Sequence, residues 1–574
     1  MQSFSFDKIA QLVDTKSSHE TSVWTLAHIL FDEYDDDISA SVPAAERSKY
    51  EQRIRKDRLS RFWQQLVSES AKRAVIAAPT PEERALAFLS AHNIADACGA
   101  LVDGKDFRLA TLVAQIGGDT IMREDMSTQI SHWRRLDMLS EMTEPIRALY
   151  ELLAGNTCVC EGKKGALEDR ASTFVISERF DLDWKRAFGL RLWYAIRAEE
   201  PIEVAVQKFI ADLGQQERKR PLPWFLEESV GQDQDRGTEQ GREDLLWGLL
   251  KLYTKSKGSG GPVKLADVIM PQNASSNPVD SRLSFQLYHA LRTRFLNDHS
   301  GIDISSETAD QLAWDFADQL DAAGEWTWSA FVLLHLSSGE QRQKGLQSLL
   351  AHHASAIGDA QSPIFKTLVA EFQIPESWIW DAKALHARSV TQDHVAEVGF
   401  LVRAHNWEEA HETLCRIVAP RAIIEQDYAS LQALLAAFNG KQFVRDWGLG
   451  GQVYADFVQL VRGGEARGRS DGLRRLVGAL PAMGRERPGK LGFVEMVAVR
   501  EMSGVVARAV VEGKEKVIHC SCWILSPARK GRLLMVVLGH RGREGLAVAV
   551  DGRCAVEAYG GFGLEVLPGG YGVW

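Results

Sequence analysis

The chain has 574 residues and a formal net charge of −10, room for about four average domains, although a stacked helical array counts as one body at any length. Hydrophobic residues make up 45% and charged ones 25%, an ordinary globular balance that excludes wholesale disorder and a fibrous protein. The acidic balance argues against direct nucleic-acid binding, and no apolar run approaches the roughly 20 residues of a membrane span.

Met1 to Ala10 lack the basic start and apolar middle of a signal peptide, which points to a soluble chain outside the secretory lumen. Phe4 and Phe6 alternate with polar neighbours and predict a short strand. Trp24, Ala27, His28 and Phe31 mark the first helix, and Tyr50, Ile54, Leu59, Phe62, Trp63, Leu66 and Val67 a longer one with a charged opposite face. Pro79 and Pro81 end this block. From Glu82 to Ile116 the pattern is small-residue helical hairpins with a turn at Gly104. Helices through Trp133 and Leu136, then Ile146, Leu149 and Leu153, lead to a Gly- and Lys-rich loop, Cys158 to Asp169. Leu182 to Ile196 is strongly apolar, with Trp184, Phe188, Leu192 and Trp193 on one helical side. Polar connections at Glu227 to Gly241 and Lys257 to Pro262 flank a helix through Leu245, Leu249 and Leu252.

The central block states its building unit most plainly. Asp280 can cap a helix carrying Leu283, Leu287, Leu291 and Phe295; Ser306 opens a second with Leu312, Phe316 and Leu320; Gly324 ends it. Trp326, Trp328, Phe331, Leu334 and Leu336 open a third. Such short connections demand antiparallel packing. Further pairs run through Leu349, Leu368 and Phe372, then Trp378, Ile379 and Leu385. Asn406 and Trp407 repeat the turn at Glu325 and Trp326, which supports an array without a strict repeat period. Gly440 to Leu491 is broken by Gly- and Arg-rich pieces, and a helix spans Phe493 to Val511. Beyond Val517 no helical period remains, and Leu533 to Leu538 and Leu546 to Val550 read as strands in a Gly-rich segment.

The motifs for chemistry are sparse. Asp32, Asp35, Asp36 and Asp37 fit a solvated acidic loop; the competing reading is the magnesium-binding run of an all-α isoprenoid enzyme, which needs a second motif on a facing helix. None is present in the sequence. His352 with His353, and His405 with His411, lack the four-residue interval of a zinc helix. Cys98 and Cys415 sit singly in apolar helices, while Cys158 with Cys160 and Cys520 with Cys522 lack zinc spacing. Lys257 to Lys264 has no P-loop order, and Gly539, Gly542 and Gly545 form no dinucleotide fingerprint. The arginines from Arg462 to Arg487 read as a solvated loop. Trp184, Trp193, Trp326 and Trp328 fit core packing ahead of partner contact. No catalytic residue, cofactor site or metal site is assigned.

Four runs, Val23 to Asp32 (VWTLAHILFD), Leu182 to Tyr194 (LDWKRAFGLRLWY), Pro278 to Leu287 (PVDSRLSFQL) and Gly324 to Leu336, resemble the nucleoporin 96 family in its fungal form over roughly Ser18 to Val511. The resemblance implies an ancestral coatomer element: an all-α, irregular helical solenoid that folds back on itself into trunk, crown and tail, here followed by a non-helical Gly-rich end. It places a first trunk block at 1–78, the crown at 79–240, a second trunk block at 241–390, the tail at 391–512 and an atypical extension at 513–574. It implies a structural, non-enzymatic component of the nuclear pore complex at the nuclear envelope, supporting nucleocytoplasmic and mRNA transport. The implied partners are a stem nucleoporin of the 84/107 type at the crown and arm nucleoporins of the 85 and 120/160 types at the tail. Trp184, Phe188 and Trp193 are the candidate partner-binding residues of the crown. The family's strand segment that completes a small coat β-propeller has only Phe4 and Phe6 as a counterpart here, and the autoproteolytic site of the family's precursor has none. A HEAT-like transport receptor remains the other non-enzymatic reading; it requires one continuous, unreversed superhelix.

Overall fold

Six helix-to-helix turns share one backbone device. His92, Lys105, Gly324, Gln392, His405 and Gln426 each take a left-handed conformation, with φ between 54° and 83°. The next residue, Asn93, Asp106, Glu325, Asp393, Asn406 or Asp427, immediately precedes the following helix. In five of the six that residue's amide donates to the carbonyl five positions back, as in Asn93 to Phe88 (3.0 Å), Asp106 to Leu101 (3.0 Å) and Glu325 to Leu320 (2.8 Å). One residue therefore closes a helix and opens the next. The Asp side chains finish the work: Asp106 accepts from the Leu109 amide at 2.9 Å and Asp427 from the Ser430 amide at 3.2 Å.

The computed structural model describes residues 5–558 except 14–17, 35–41, 118–119, 166–168, 216–219, 228–241, 260, 262, 296–305, 439–443, 464–465, 487–491, 513–519, 526–531, 541–542 and 551–552. It divides into two units, residues 1–325 with 335–337, and residues 326–334 with 338–574.

The first unit runs through α1 (Phe6–Leu12), α2 (Ser18–Phe31), α3 (Ala44–Ala77), α4 (Pro81–Leu89), α5 (Ile94–Asp103), α6 (Phe107–Val113), α7 (Thr120–Arg135) and α8 (Glu144–Leu153). A small antiparallel hairpin of β1 (Val159–Cys160) and β2 (Phe174–Val175) stands where a loop was expected, closed further by a Lys163–Ala171 bridge. Then come α9 (Ile176–Arg179), α10 (Trp184–Leu190) with a π turn at Arg191–Ala195, α11 (Ile202–Gln215), α12 (Trp224–Glu227), α13 (Leu245–Ser256), α14 (Leu265–Val268), α15 (Pro271–Ala274), α16 (Arg282–Phe295) and α17 (Ser306–Ala322). The expected N-terminal strand is absent at Phe6. Ser5 caps α1, and the Phe6 ring is buried against Trp24 and Phe31, so the alternation of Phe4 and Phe6 does not decide the conformation. Phe4 lies outside the described residues.

α2 is apolar on nearly every side, as a central helix must be: Val23, Trp24, Leu26, Ala27, Ile29, Leu30 and Phe31 are all buried. It lies between α1, α3 and α13. Phe31 meets Tyr253 and Phe295 edge-on at 6.2 and 5.5 Å, and the Arg282 guanidinium clasps the Glu20 carboxylate at 2.9 and 2.6 Å. The chain therefore returns on itself within this unit, so that early helices lie against the central ones. A continuous unreversed superhelix is excluded for this unit. One apolar core takes in buried side chains from Phe6 to Leu312.

Two partly buried histidines are expected to make this unit acid-sensitive. Burial, with Lys185 adding to it and Glu20 opposing, lowers His19 to about 4; burial, with His335 and Arg292, lowers His289 to about 4. Nε2 of each has no hydrogen-bond partner among the described residues. An unfolded histidine binds its proton near pH 6.5, whereas these stay neutral in the fold. Stability is therefore expected to fall as pH drops from about 6.5 to about 4, by on the order of 2 kcal/mol per histidine. Urea unfolding across that range checks it, and a His19→Gln, His289→Gln variant should show a flatter profile.

The second unit runs through α18 (Trp326–Leu333), α19 (Gly339–His352), α20 (Pro363–Lys366), α21 (Glu376–His386), α22 (His394–Arg403), α23 (Trp407–Thr413), α24 (Ala419–Glu425), α25 (Tyr428–Ala437), α26 (Gly451–Arg462), α27 (Ala466–Glu486) and α28 (Phe493–Glu512). π turns follow α20, α21 and α23. Its principal core gathers buried side chains from Ala384 to Val510. The expected strands are present after α28: β3 (Cys520–Leu525), β4 (Arg532–His540), β5 (Arg543–Val550) and β6 (Arg553–Ala558) form an antiparallel meander in that order. No helix among the described residues is long and apolar enough to cross a membrane.

Candidate protein interaction surface

The run from Leu182 to Tyr194 is built from its cap inward. Asp183 accepts from the Arg186 amide at 2.8 Å and opens α10, which lays Trp184 and Phe188 on the Trp63 ring of α3 at 6.0 and 4.9 Å. Trp247 of α13 meets the same two rings at 6.4 and 5.9 Å. Gly189 leaves room for Trp193, since a Cβ there would lie 2.6 Å from the indole. Trp193 stacks on His92 at 5.0 Å and donates from Nε1 to Ser60 Oγ at 2.9 Å. The carbonyls that end the π turn are gathered by cations from three neighbours. Lys56 donates to Arg197, Ala198 and Glu200, Arg123 to Ile196 at 3.0 Å, and Lys208 to Ala195 at 2.5 Å.

Trp184, Phe188 and Trp193 are consequently interior residues, exposed by only 2%, 0% and 8%. Their aromatic area is spent joining α10 to α3 and α13. The apolar side chains that this region does expose are others: Val102 and Phe107 on the α5–α6 hairpin, Ile121 on α7, and Leu136 and Met138 just after it. Nothing in the sequence marks Phe107 as exposed, because it opens the same apolar run as Leu109, Leu112 and Val113. Its position directly after the cap Asp106 turns it away from the array.

The other candidates resolve into structural roles. Asp32 accepts from Ser5 Oγ at 2.9 Å, the Phe6 and Asp7 amides at 3.2 and 3.3 Å, and is hydrogen-bonded to His28 Nδ1 at 2.7 Å. Burial alone would raise its pKa, but these donors, His28 first, hold the carboxyl below its usual range. Both oxygens thus cap α1 and are not free to grip a metal. Asp35, Asp36 and Asp37 lie outside the described residues. His353 stacks on Trp326 at 4.8 Å, and His411 Nε2 accepts from the Gly451 amide at 2.9 Å. Cys158, Cys160 and Cys415 are buried thiols, and burial pushes Cys160 up to about 12. Most of the arginine stretch is helical: α26 ends at Arg462 and α27 covers Ala466–Glu486, with Leu473, Leu476, Val477, Leu480 and Met483 buried and Arg475 bound to both oxygens of Asp456 at 2.8 Å. Trp328, expected inside, is 56% exposed beside Phe331.

The geometry describes a helical body whose polar groups cap and brace helices. A family model described as nuclear protein 96 matches residues 83–386, more than half of the chain. The chain belongs to the nuclear protein 96 family. That match begins in α4 and ends with α21, so it takes in α10 and the central helices on which the chain's return depends. Among relatives, nucleoporin NUP145 of Chaetomium thermophilum is 33% identical over 476 residues, covering 82% of this chain and 23% of that protein. Nucleoporin nup189 of Schizosaccharomyces pombe is 31% identical over 462 residues, 78% of this chain and 24% of that protein. The nuclear pore complex protein Nup98-Nup96 of Drosophila melanogaster is 26% identical over 456 residues, 78% of this chain and 22% of that protein. This nuclear protein 96 family chain thus spans under a quarter of the length of these nucleoporins.

Proposed function

We propose that this chain is a non-catalytic scaffold component of the nuclear pore complex at the nuclear envelope, joining the stem and hub of a Y-shaped coat subcomplex and so supporting nucleocytoplasmic and mRNA transport. Membership of the nuclear protein 96 family across residues 83–386 carries this reading. The crown at 79–240 offers Val102, Phe107, Ile121, Leu136 and Met138 to the stem nucleoporin of the 84/107 type, while Trp184 and Phe188, packed against α3 and α13, and Trp193, stacked on His92, brace the crown from its interior. The tail at 391–512 meets the arm nucleoporins of the 85 and 120/160 types; its exposed apolar side chains include Val395, Ile424, Val461 and Phe493. Affinity comes from buried apolar helix faces. A small coat β-propeller joins only where a strand segment is supplied, and neither nucleic acid nor a cofactor takes part.

Co-purification with stem and arm nucleoporins tests the assignment. A Val102→Glu, Phe107→Glu variant is expected to bind the stem nucleoporin at least about tenfold more weakly while holding the arm nucleoporins unchanged. Failure of the unaltered chain to capture either class would overturn the scaffold reading. Undiminished stem binding by the variant would reject only this surface.

A further inference from the structure

Two exposed apolar pairs of the first unit meet at one end of its helical hairpins. Val102 lies in the last turn of α5 and Phe107 opens α6, on either side of the turn at Gly104 and Lys105. Leu136 and Met138 follow α7, and the Met138 amide donates to the Trp133 carbonyl at 3.1 Å. Tyr150 of α8 joins the two pairs: its ring packs edge-on against Trp133 at 4.8 Å, its hydroxyl is within reach of the charges of Arg108 and Asp106, and α8 packs on both α6 and α7. Ile121 stands apart near the other end of α7, about 20 Å from Leu136 along the helix axis.

The charges beside these side chains narrow what can cover them. Lys105, Arg108 and Arg135 are exposed, and none of the three forms an ion pair among the described residues. The neighbouring carboxylates are mostly committed: Asp106 caps α6 through the Leu109 amide, Asp137 binds Lys163, and Glu161 binds Arg134. Asp103 is the one exposed carboxylate in the stretches 102–108 and 132–138. A chain of formal net charge −10 thus shows a local excess of positive charge around its exposed apolar end. Screening within about 10 Å lets that local sign, and not the net charge, meet an arriving surface. We propose that this end of the crown takes a protein surface whose apolar centre is ringed by aspartates and glutamates, with Val102, Phe107, Leu136 and Met138 holding it and Lys105, Arg108 and Arg135 steering it. The inference deepens the scaffold reading, on which it rests for the partner's identity as the stem nucleoporin. Rim charges act mainly on the rate of association and buried apolar contacts mainly on the rate of dissociation, so the two groups of residues separate kinetically.

The test is stopped-flow association of the full chain with the stem nucleoporin at about 50 and about 500 mM salt. A Lys105→Glu, Arg108→Glu, Arg135→Glu variant is expected to associate about tenfold or more slowly at the lower salt, to lose most of the salt dependence, and to keep its dissociation rate within about threefold. The Val102→Glu, Phe107→Glu variant should instead dissociate faster. A Lys49→Glu, Arg53→Glu, Arg61→Glu variant makes the same change of net charge on the exposed side of α3 and should leave association nearly unaltered. An association rate that the first variant leaves unchanged, that rises with salt in the unaltered chain, or that the α3 variant lowers equally overturns this inference and leaves the scaffold reading standing. An unaltered chain that does not bind the stem nucleoporin overturns both.

Discussion

Arg55→Met is expected to lower the stability of the first unit by about 3–5 kcal/mol, the cost of leaving a buried polar network without its central charge. Arg55 is nearly closed to solvent, yet every arm of its guanidinium is used. Nε donates to the Ile29 carbonyl at 3.0 Å, and Nη2 donates to the Asp32 carbonyl at 2.8 Å and the Glu51 carboxylate at 2.7 Å. Nη1 reaches the Tyr253 hydroxyl at 3.5 Å. The group also lies over the Tyr34 and Tyr253 rings at 5.2 and 5.6 Å. It thereby satisfies the C-terminal carbonyls of α2 from α3 and ties both to α13, which is where the returning chain meets the first block. Methionine matches the stem but supplies no donor. Arg55→Lys should recover only part of the loss, because one ammonium cannot span two carbonyls, a carboxylate and a hydroxyl in that fork. Urea unfolding followed by circular dichroism measures the effect on the transition of the first unit; a loss under about 1 kcal/mol for Arg55→Met would show that the fork contributes little to the return.

How much of this was legible in the residues depended on which physical signal each element uses. α2, α3 and α16 announce themselves through apolar residues at three- and four-residue spacing, and the Gly324 turn through the one residue type that enters a left-handed conformation without cost. The equivalent turns at His92, Lys105, Gln392, His405 and Gln426 use side chains that pay for that conformation, so only the following Asn or Asp hints at them. α27 was hidden because Gly472, Gly478 and Pro481 weaken any helix read locally, while burial of Leu473, Leu476 and Leu480 decides the matter in three dimensions. The β1–β2 hairpin pairs two residues with two, too short for alternation to register. For the aromatic run the limit is one of principle. A tryptophan that packs a core and one that anchors a partner answer to the same hydrophobic pattern, so Trp184 and Trp328 could not be told apart until their surroundings were known. Family resemblance identified the body correctly without saying which side of it faces outward.

Trp63→Ala, at the junction of α3 with α10, is expected to cost the first unit about 3–5 kcal/mol. The indole has no exposed surface, packs edge-on against Trp184 and Phe188, and donates from Nε1 to the Lys185 carbonyl at 2.8 Å. Its removal leaves a cavity among rings that cannot collapse, since Trp184 and Phe188 are also held by Trp247. The second unit has its own core from Ala384 to Val510 and should keep its stability, so the unfolding curve is expected to split into an earlier and an unchanged transition. This separates support from contact at the proposed crown surface. If Trp63, Trp184 and Phe188 act only by holding the α5–α7 region in place, Trp63→Phe, which restores most of the packing, should return stem binding along with stability. Binding that stays lost in a Trp63→Phe variant of near-normal stability would mean that this aromatic cluster opens and meets the partner directly.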